Sequence, residues 1–123
     1  MKINLVVLKT SRPDDLAAFY GHLGIRFENH RHGNGPLHYA ANVDDDVVFE
    51  IYPLSKNKEK SDDTLRLGFT VDNLDDIINE LKRSGKKILN DPTMTEFGYV
   101  SVIEDLDGRK IELKDKRKSG ESP

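Results

Sequence analysis

The hydrophobic pattern of this chain runs twice through the same series of periods. Residues 3–9, Ile-Asn-Leu-Val-Val-Leu-Lys, are rich in Leu and Val and predict a strand. Ser11-Arg12-Pro13-Asp14-Asp15 ends it with the signals of a helix start: a capping hydroxyl, an early proline and first-turn acids. Leu16, Ala17, Phe19, Tyr20 and Leu23 then recur at helical spacing, and Gly24 stops the helix. Phe19 and Tyr20 belong to its packed face. Strands follow near 25–30, 36–42 and 46–53, separated by the turns Arg31-His32-Gly33-Asn34-Gly35-Pro36 and Asn42-Val43-Asp44-Asp45-Asp46.

Residues 55–63 hold no core residue and read as a linker, after which the pattern restarts. Leu65, Leu67, Phe69 and Val71 alternate with Arg66, Gly68 and Thr70, the signature of a half-buried strand. Asp72-Asn73 begins a second helix with Leu74, Ile77, Ile78 and Leu81 on one face, closed by Ser84-Gly85. Strands near 86–89, 98–104 and 109–114 complete the set, the last two joined by the hairpin turn Asp105-Leu106-Asp107-Gly108. Residues 115–123 are charged and polar and read as a disordered tail.

Placing Gly24 on Gly85 also places Leu5 on Arg66, Asp15 on Asp76 and Leu16 on Ile77. One residue further on, Phe49-Glu50-Ile51 meets Ile111-Glu112-Leu113. The expectation is an α+β chain of two βαβββ modules, 3–53 and 64–114, each too small to bury a core alone. Together they make one domain over residues 1–114.

Bulk properties narrow the function. A net charge of −3 argues against nucleic acid or an anionic membrane as partner, since both call for a basic patch. The chain has no cysteine, which removes disulfides, thiolate metal sites and a cysteine nucleophile. No apolar run reaches a membrane-spanning length or a signal-peptide core, so the expected location is cytoplasmic. No serine sits in a G-x-S-x-G elbow, and Gly33-Asn34-Gly35 is followed by proline rather than by a helix, against a phosphate cradle.

Four stretches in order resemble the vicinal-oxygen-chelate superfamily, the glyoxalase, bleomycin-resistance and dioxygenase proteins. They are Asp15-Leu16-Ala17-Ala18-Phe19-Tyr20 with Leu23-Gly24, Val48-Phe49-Glu50-Ile51-Tyr52-Pro53, Leu67-Gly68-Phe69-Thr70-Val71-Asp72, and Asp105-Leu106-Asp107-Gly108-Arg109-Lys110-Ile111-Glu112-Leu113. Leu106 replaces the usual proline of the last motif. The resemblance spans roughly residues 3–114. It implies that the modules form a cup-shaped mixed sheet with the helices outside, and that the chain works as a homodimer.

In metal-using relatives the ligand positions correspond to Leu5, Glu50, Arg66 and Glu112. Leu5 has no donor atom and Arg66 is a permanent cation, so the expectation is a protein without metal or other cofactor. Strand alternation turns Val47, Phe49 and Ile51 toward the helix, and Val48, Glu50 and Tyr52 toward the cup. Arg66 is then expected to bridge Glu50 and Glu112 inside it. His32-Gly33-Asn34-Gly35-Pro36-Leu37-His38-Tyr39 resembles a string found in one branch of the superfamily. His38 begins a strand that can line the cup, whereas His22 and His30 read as surface residues and His32 as an exposed turn residue.

The reading that follows is a metal-independent protein of the bleomycin-resistance type. It holds a small-molecule ligand among His38, Tyr39, Tyr52 and Tyr99, with a cation-bearing ligand suited to the glutamates. An alternative is a metal-free lyase or isomerase using Glu50 or Glu112 as general base with Arg66 as electrophilic group, its catalytic set being Glu50, Arg66 and Glu112. A third is a metal-dependent glyoxalase or dioxygenase with His38 or a partner chain completing the ligands.

Overall fold

The computed structural model describes residues 1–31, 33–55 and 60–117. The chain divides into two compact units, residues 1–62 and 63–123. Each contains one helix and a four-stranded mixed sheet, in the β-α-β-β-β order that the repeated pattern predicts.

The first unit comprises β1 (Leu5–Thr10), α1 (Pro13–Gly21), β2 (Glu28–His30), β3 (His38–Asp44) and β4 (Val47–Pro53). Its strand order is β1-β4-β3-β2, with β1 parallel to β4 and the other pairs antiparallel. α1 buries Leu16, Ala17, Phe19 and Tyr20. The Tyr20 ring lies 5.1 Å from that of Phe49, and Phe27 packs 5.8 Å from the same ring. Phe49 and Ile51 are buried between half-buried neighbours, as the alternation along β4 requires.

The second unit comprises β5 (Leu67–Val71), α2 (Leu74–Arg83), β6 (Ile88–Thr95), β7 (Gly98–Glu104) and β8 (Lys110–Asp115), in the order β5-β8-β7-β6. Val71 of β5, Leu74, Ile78 and Leu81 of α2, Ile103 of β7, and Ile111 and Leu113 of β8 form its buried apolar set. Each such side chain contributes about 1.5–3 kcal/mol of transfer free energy.

α2 stops directly before Gly85, whereas α1 ends at Gly21 and a turn carries the chain on to Gly24. Gly24 and Gly85 have φ of 100° and 72°, a region glycine enters without Cβ strain. The helix starts fall where the sequence reading put them, but their caps differ. α1 begins with Pro13, but neither helix receives a capping bond from the side chain of its N-cap residue. Ser11 is not the cap. Thr10 Oγ1, fully buried, accepts instead from the Arg12 amide at 3.1 Å. At α2 the Leu74 amide donates to Asp115 Oδ2 at 3.0 Å, a cap supplied from 41 residues away.

Two element boundaries also move. β6 runs on to Thr95 through Pro92, past the expected end near 89. It is the edge strand and carries register shifts at Asn90 and Thr93, where a proline without an amide hydrogen is accommodated. β8 reaches Asp115, which is buried, and the Lys116 amide still donates to the Val71 carbonyl at 2.8 Å. Order therefore extends past the expected start of the tail. Residues 118–123, like linker residues 56–59, lie outside the described residues. No helix among the described residues is long and apolar enough to cross a membrane.

Candidate functional site

The face of the first sheet turned away from α1 is set by the strand registers. Glu50 lies opposite Ala40 on β3 and Val7 on β1. Ala40 in turn lies opposite Glu28 on β2, and His38 lies opposite His30. Because Phe49 and Ile51 pack toward the helix, Glu50 and Tyr52 project from the other face, with His38, Ala40, Glu28 and His30 at the same parity. Ala40, the smallest of these, sits between two carboxylates on neighbouring strands.

His38 is the best-buried member, its side chain 1% exposed. Its ring stacks on that of Tyr52 with centroids 4.1 Å apart and planes 8° apart. Nδ1 is 3.2 Å from the Pro36 carbonyl oxygen. A carbonyl can only accept, so this contact puts a hydrogen on Nδ1. Nε2 then faces two groups at 3.4 Å each, the Tyr52 hydroxyl and Glu50 Oε2. With the hydrogen on Nδ1, Nε2 is free to accept a hydrogen bond from the Tyr52 hydroxyl. Glu50, 18% exposed, keeps an edge toward solvent.

Beside this cluster, His30 Nε2 lies 3.4 Å from Glu28 Oε2, and the His30 and His38 rings are 6.2 Å apart. A cavity of about 570 Å³ opens on this part of the unit, lined by Glu28, His30, Ala40, Asn42 and Val48 together with Arg26, Phe27 and Ala41. That volume falls within the usual range for a small-molecule pocket.

The structure brings together Glu50, His38 and Tyr52 from the sequence-derived set. Tyr39 lies on the other face of β3, where its hydroxyl donates to Asp14 in the first turn of α1. Tyr99 makes the matching bond to Asp75 of α2 at 2.7 Å. Each ties a strand to its own helix, a device the repeat uses twice. Arg66 immediately precedes β5 and is exposed; Glu112 is exposed on β8 opposite Gly68 and Val102. No ion pair joins Arg66 to Glu112 among the described residues. Leu5 is 51% exposed at the start of β1. His32 lies outside the described residues. Among those described, no three His, Cys, Asp or Glu side chains gather as a metal set would.

Glu28 and His30 were not singled out from the sequence, and His30 read as a surface residue. The signal existed in their alternation with Phe27, whose ring packs against Tyr39 and Phe49 on the helix side. The second unit has no imidazole at the corresponding places. Where the first carries His38, Ala40 and Tyr52, the matching registers give Val100, Val102 and Lys114.

Comparison with known proteins agrees with this fold. The model of the Glyoxalase/Bleomycin resistance protein/Dioxygenase superfamily matches residues 2–113. No curated protein sequence matches the chain. Among solved structures, TnmS3, an antibiotic binding protein from Streptomyces sp. CB03234, is similar with a TM-score of 0.72 at 19% identity, covering 94% of this chain and 95% of that one. A glyoxylase/bleomycin resistance protein/dioxygenase domain from Frankia sp. EAN1pec gives 0.72 at 17%, covering 95% and 93%. An integron cassette protein from the mobile metagenome of V. cholerae gives 0.70 at 19%, covering 94% and 95%. At such identities the likeness establishes the fold alone.

Proposed function

The chain belongs to the Glyoxalase/Bleomycin resistance protein/Dioxygenase superfamily, and on that premise we propose that it binds a small molecule, without a metal ion, on the helix-free face of its first sheet. The observation that carries this reading is a cavity of about 570 Å³ lined by Glu28, His30, Ala40 and Val48, with Glu50 opposite Ala40 on the next strand and the buried His38, stacked on Tyr52, 3.4 Å from Glu50. A metal set needs donors at positions where this chain has Leu5 and Arg66. The similarity to an antibiotic binding protein supports sequestration of a ligand as the role.

The ligand class follows from Glu28, which lines the cavity, and from Glu50, which lies opposite the lining residue Ala40. Glu28 and Glu50 flank Ala40 across three strands, so the small side chain leaves room between two carboxylates. A cation-bearing molecule with a flat body suits this space: its charge goes to the carboxylates and its body lies over Ala40 and Val48. The test is a thermal-shift screen of aromatic amines and amidines, matched against neutral and anionic analogues, in buffer containing a chelator. Stabilisation by cationic members, unchanged by the chelator, is the expected result. Stabilisation that appears only when a divalent metal is added contradicts the reading.

One observation favours a second reading. Glu50 is a partly exposed carboxylate 3.4 Å from a buried histidine ring, and a metal-free isomerase or lyase uses such a carboxylate as general base. Recovery of the bound molecule chemically unchanged after long incubation with the protein excludes it.

A further inference from the structure

We propose that Asn34 is a site of spontaneous modification, converting to isoaspartate through a cyclic imide, and that this change acts on the anchoring of His38. It stands independently of the ligand-binding proposal, because the chemistry needs only the chain and water.

Asn34 is the one asparagine in the chain followed by glycine. It is exposed in the turn between β2 and β3, next to Gly33, which has φ of 58° and open space around its Cα. Gly35 has no side chain to keep its backbone nitrogen from the Asn34 side chain, and glycine reaches conformations closed to other residues. The Gly35 nitrogen attacks Cγ of Asn34. The new C–N bond closes a five-membered ring, the Cγ–Nδ2 bond breaks, and ammonia leaves with the former amide proton of Gly35. Water then opens the ring. Attack at Cγ gives aspartate on the ordinary backbone; attack at the main-chain carbonyl carbon gives isoaspartate, whose backbone runs through Cβ and Cγ.

Both products make the net charge of −3 one unit more negative. Only isoaspartate also inserts a carbon into the main chain. That extra atom lies just before Gly35-Pro36, and the Pro36 carbonyl is what His38 Nδ1 holds at 3.2 Å. A longer chain at this point displaces the acceptor that fixes the ring's tautomer, and with it the contacts of Nε2 to Tyr52 and Glu50.

Asp107-Gly108 supplies an internal contrast. It has the same following glycine, with φ of 93°, but the Asp107 carboxylate is held by Arg109 Nη1 at 2.9 Å and its side chain is 7% exposed. Its Cγ is not free to swing onto the backbone nitrogen.

The experiment ages the intact protein in mildly alkaline buffer beside a sample kept unfolded in urea, followed by peptide mapping and isoaspartyl methyltransferase labelling. The expected result is conversion at Asn34 in both samples, with isoaspartate the larger product, and no change at Asp107 in the folded one. The acidic species seen by ion exchange should be absent from Asn34→Gln. Folded protein that keeps Asn34 intact while the unfolded sample converts overturns the proposal. NMR of the histidine rings reads the coupling. His38 signals should move in the isoaspartyl form and stay in place in Asn34→Asp, which gains the charge but not the extra carbon. Conversion that leaves the His38 signals unmoved overturns the link to the site.

Discussion

Glu50 touches His38 with one carboxylate oxygen and keeps 18% of its side chain exposed, which sets what its removal does. Glu50→Gln should leave stability within about 1 kcal/mol of the parent, as expected for a partly exposed pair. It should weaken binding of a cationic ligand by about tenfold, or ~1.4 kcal/mol. Urea denaturation and titration calorimetry read the two separately. Arg109 is the opposite case. It is fully buried, and although burial pulls its pKa down, the hydrogen bond and charge of Asp105, joined by Asp107, hold the guanidinium above its usual range. Arg109→Met should cost about 3–5 kcal/mol, because Asp105 stays buried without its partner. Adding Asp105→Asn, which keeps an oxygen for the Asp107 and Arg109 amides but removes the charge, should recover part of the loss, and a double-mutant cycle in urea checks it. Tyr39 gives a pH prediction. Its hydrogen bond to Asp14, helped by burial and opposed by Asn29, raises its pKa above the ordinary 10.0. The bond therefore contributes fully below that ordinary value and is lost as pH rises through the higher folded value. Stability should fall over this alkaline range, and Tyr39→Phe should flatten the fall. At this scale the sequence showed Glu50, His38 and Tyr52 through alternation along single strands. It could not show Asp14 beneath Tyr39, a contact that depends on how the helix crosses the sheet.

At the scale of elements, the stop of α2 was legible because Gly85 acts locally, and both starts were legible from Pro13 and from Asp72-Asn73. The capping partners were not, because they are remote or unexpected. Asp115 caps α2 from the end of β8, and a charged residue near the C-terminus gave no local sign of order. Asp115→Ala should cost about 0.5–2 kcal/mol by urea denaturation, the usual range for a lost cap. Ser11→Ala, at the position the sequence suggested for α1, should change stability by less than about 0.5 kcal/mol, as for a surface substitution away from any cap. β6 runs past the strand near 86–89 that the sequence suggested, through Pro92, a residue that a central strand would exclude. The structure places it on an edge with shifted register, where the rule does not apply. β2 shows another limit. Its register against β3 aligns Glu28 with Ala40 and His30 with His38. A turn containing Asn34-Gly35-Pro36 separates the two strands, and its composition does not fix that register.

At the scale of the whole molecule, the repeated β-α-β-β-β order was readable because each half repeats its helix stop and strand-end glutamate, and both units share one strand order. The difference between them was harder to read. Glu50 and Glu112 match in the sequence, yet only Glu50 has a buried histidine against it; at the corresponding register beside Glu112 stands Val100. The proposed binding site therefore lies in the first unit. The most direct test is an NMR titration of isotopically labelled protein with a cationic ligand, in the presence of a chelator. Shifts confined to Glu28, His30, His38, Ala40, Glu50 and Tyr52 are the predicted result. Shifts centred on β7 and β8 of the second unit, or none until a divalent metal is added, would contradict it.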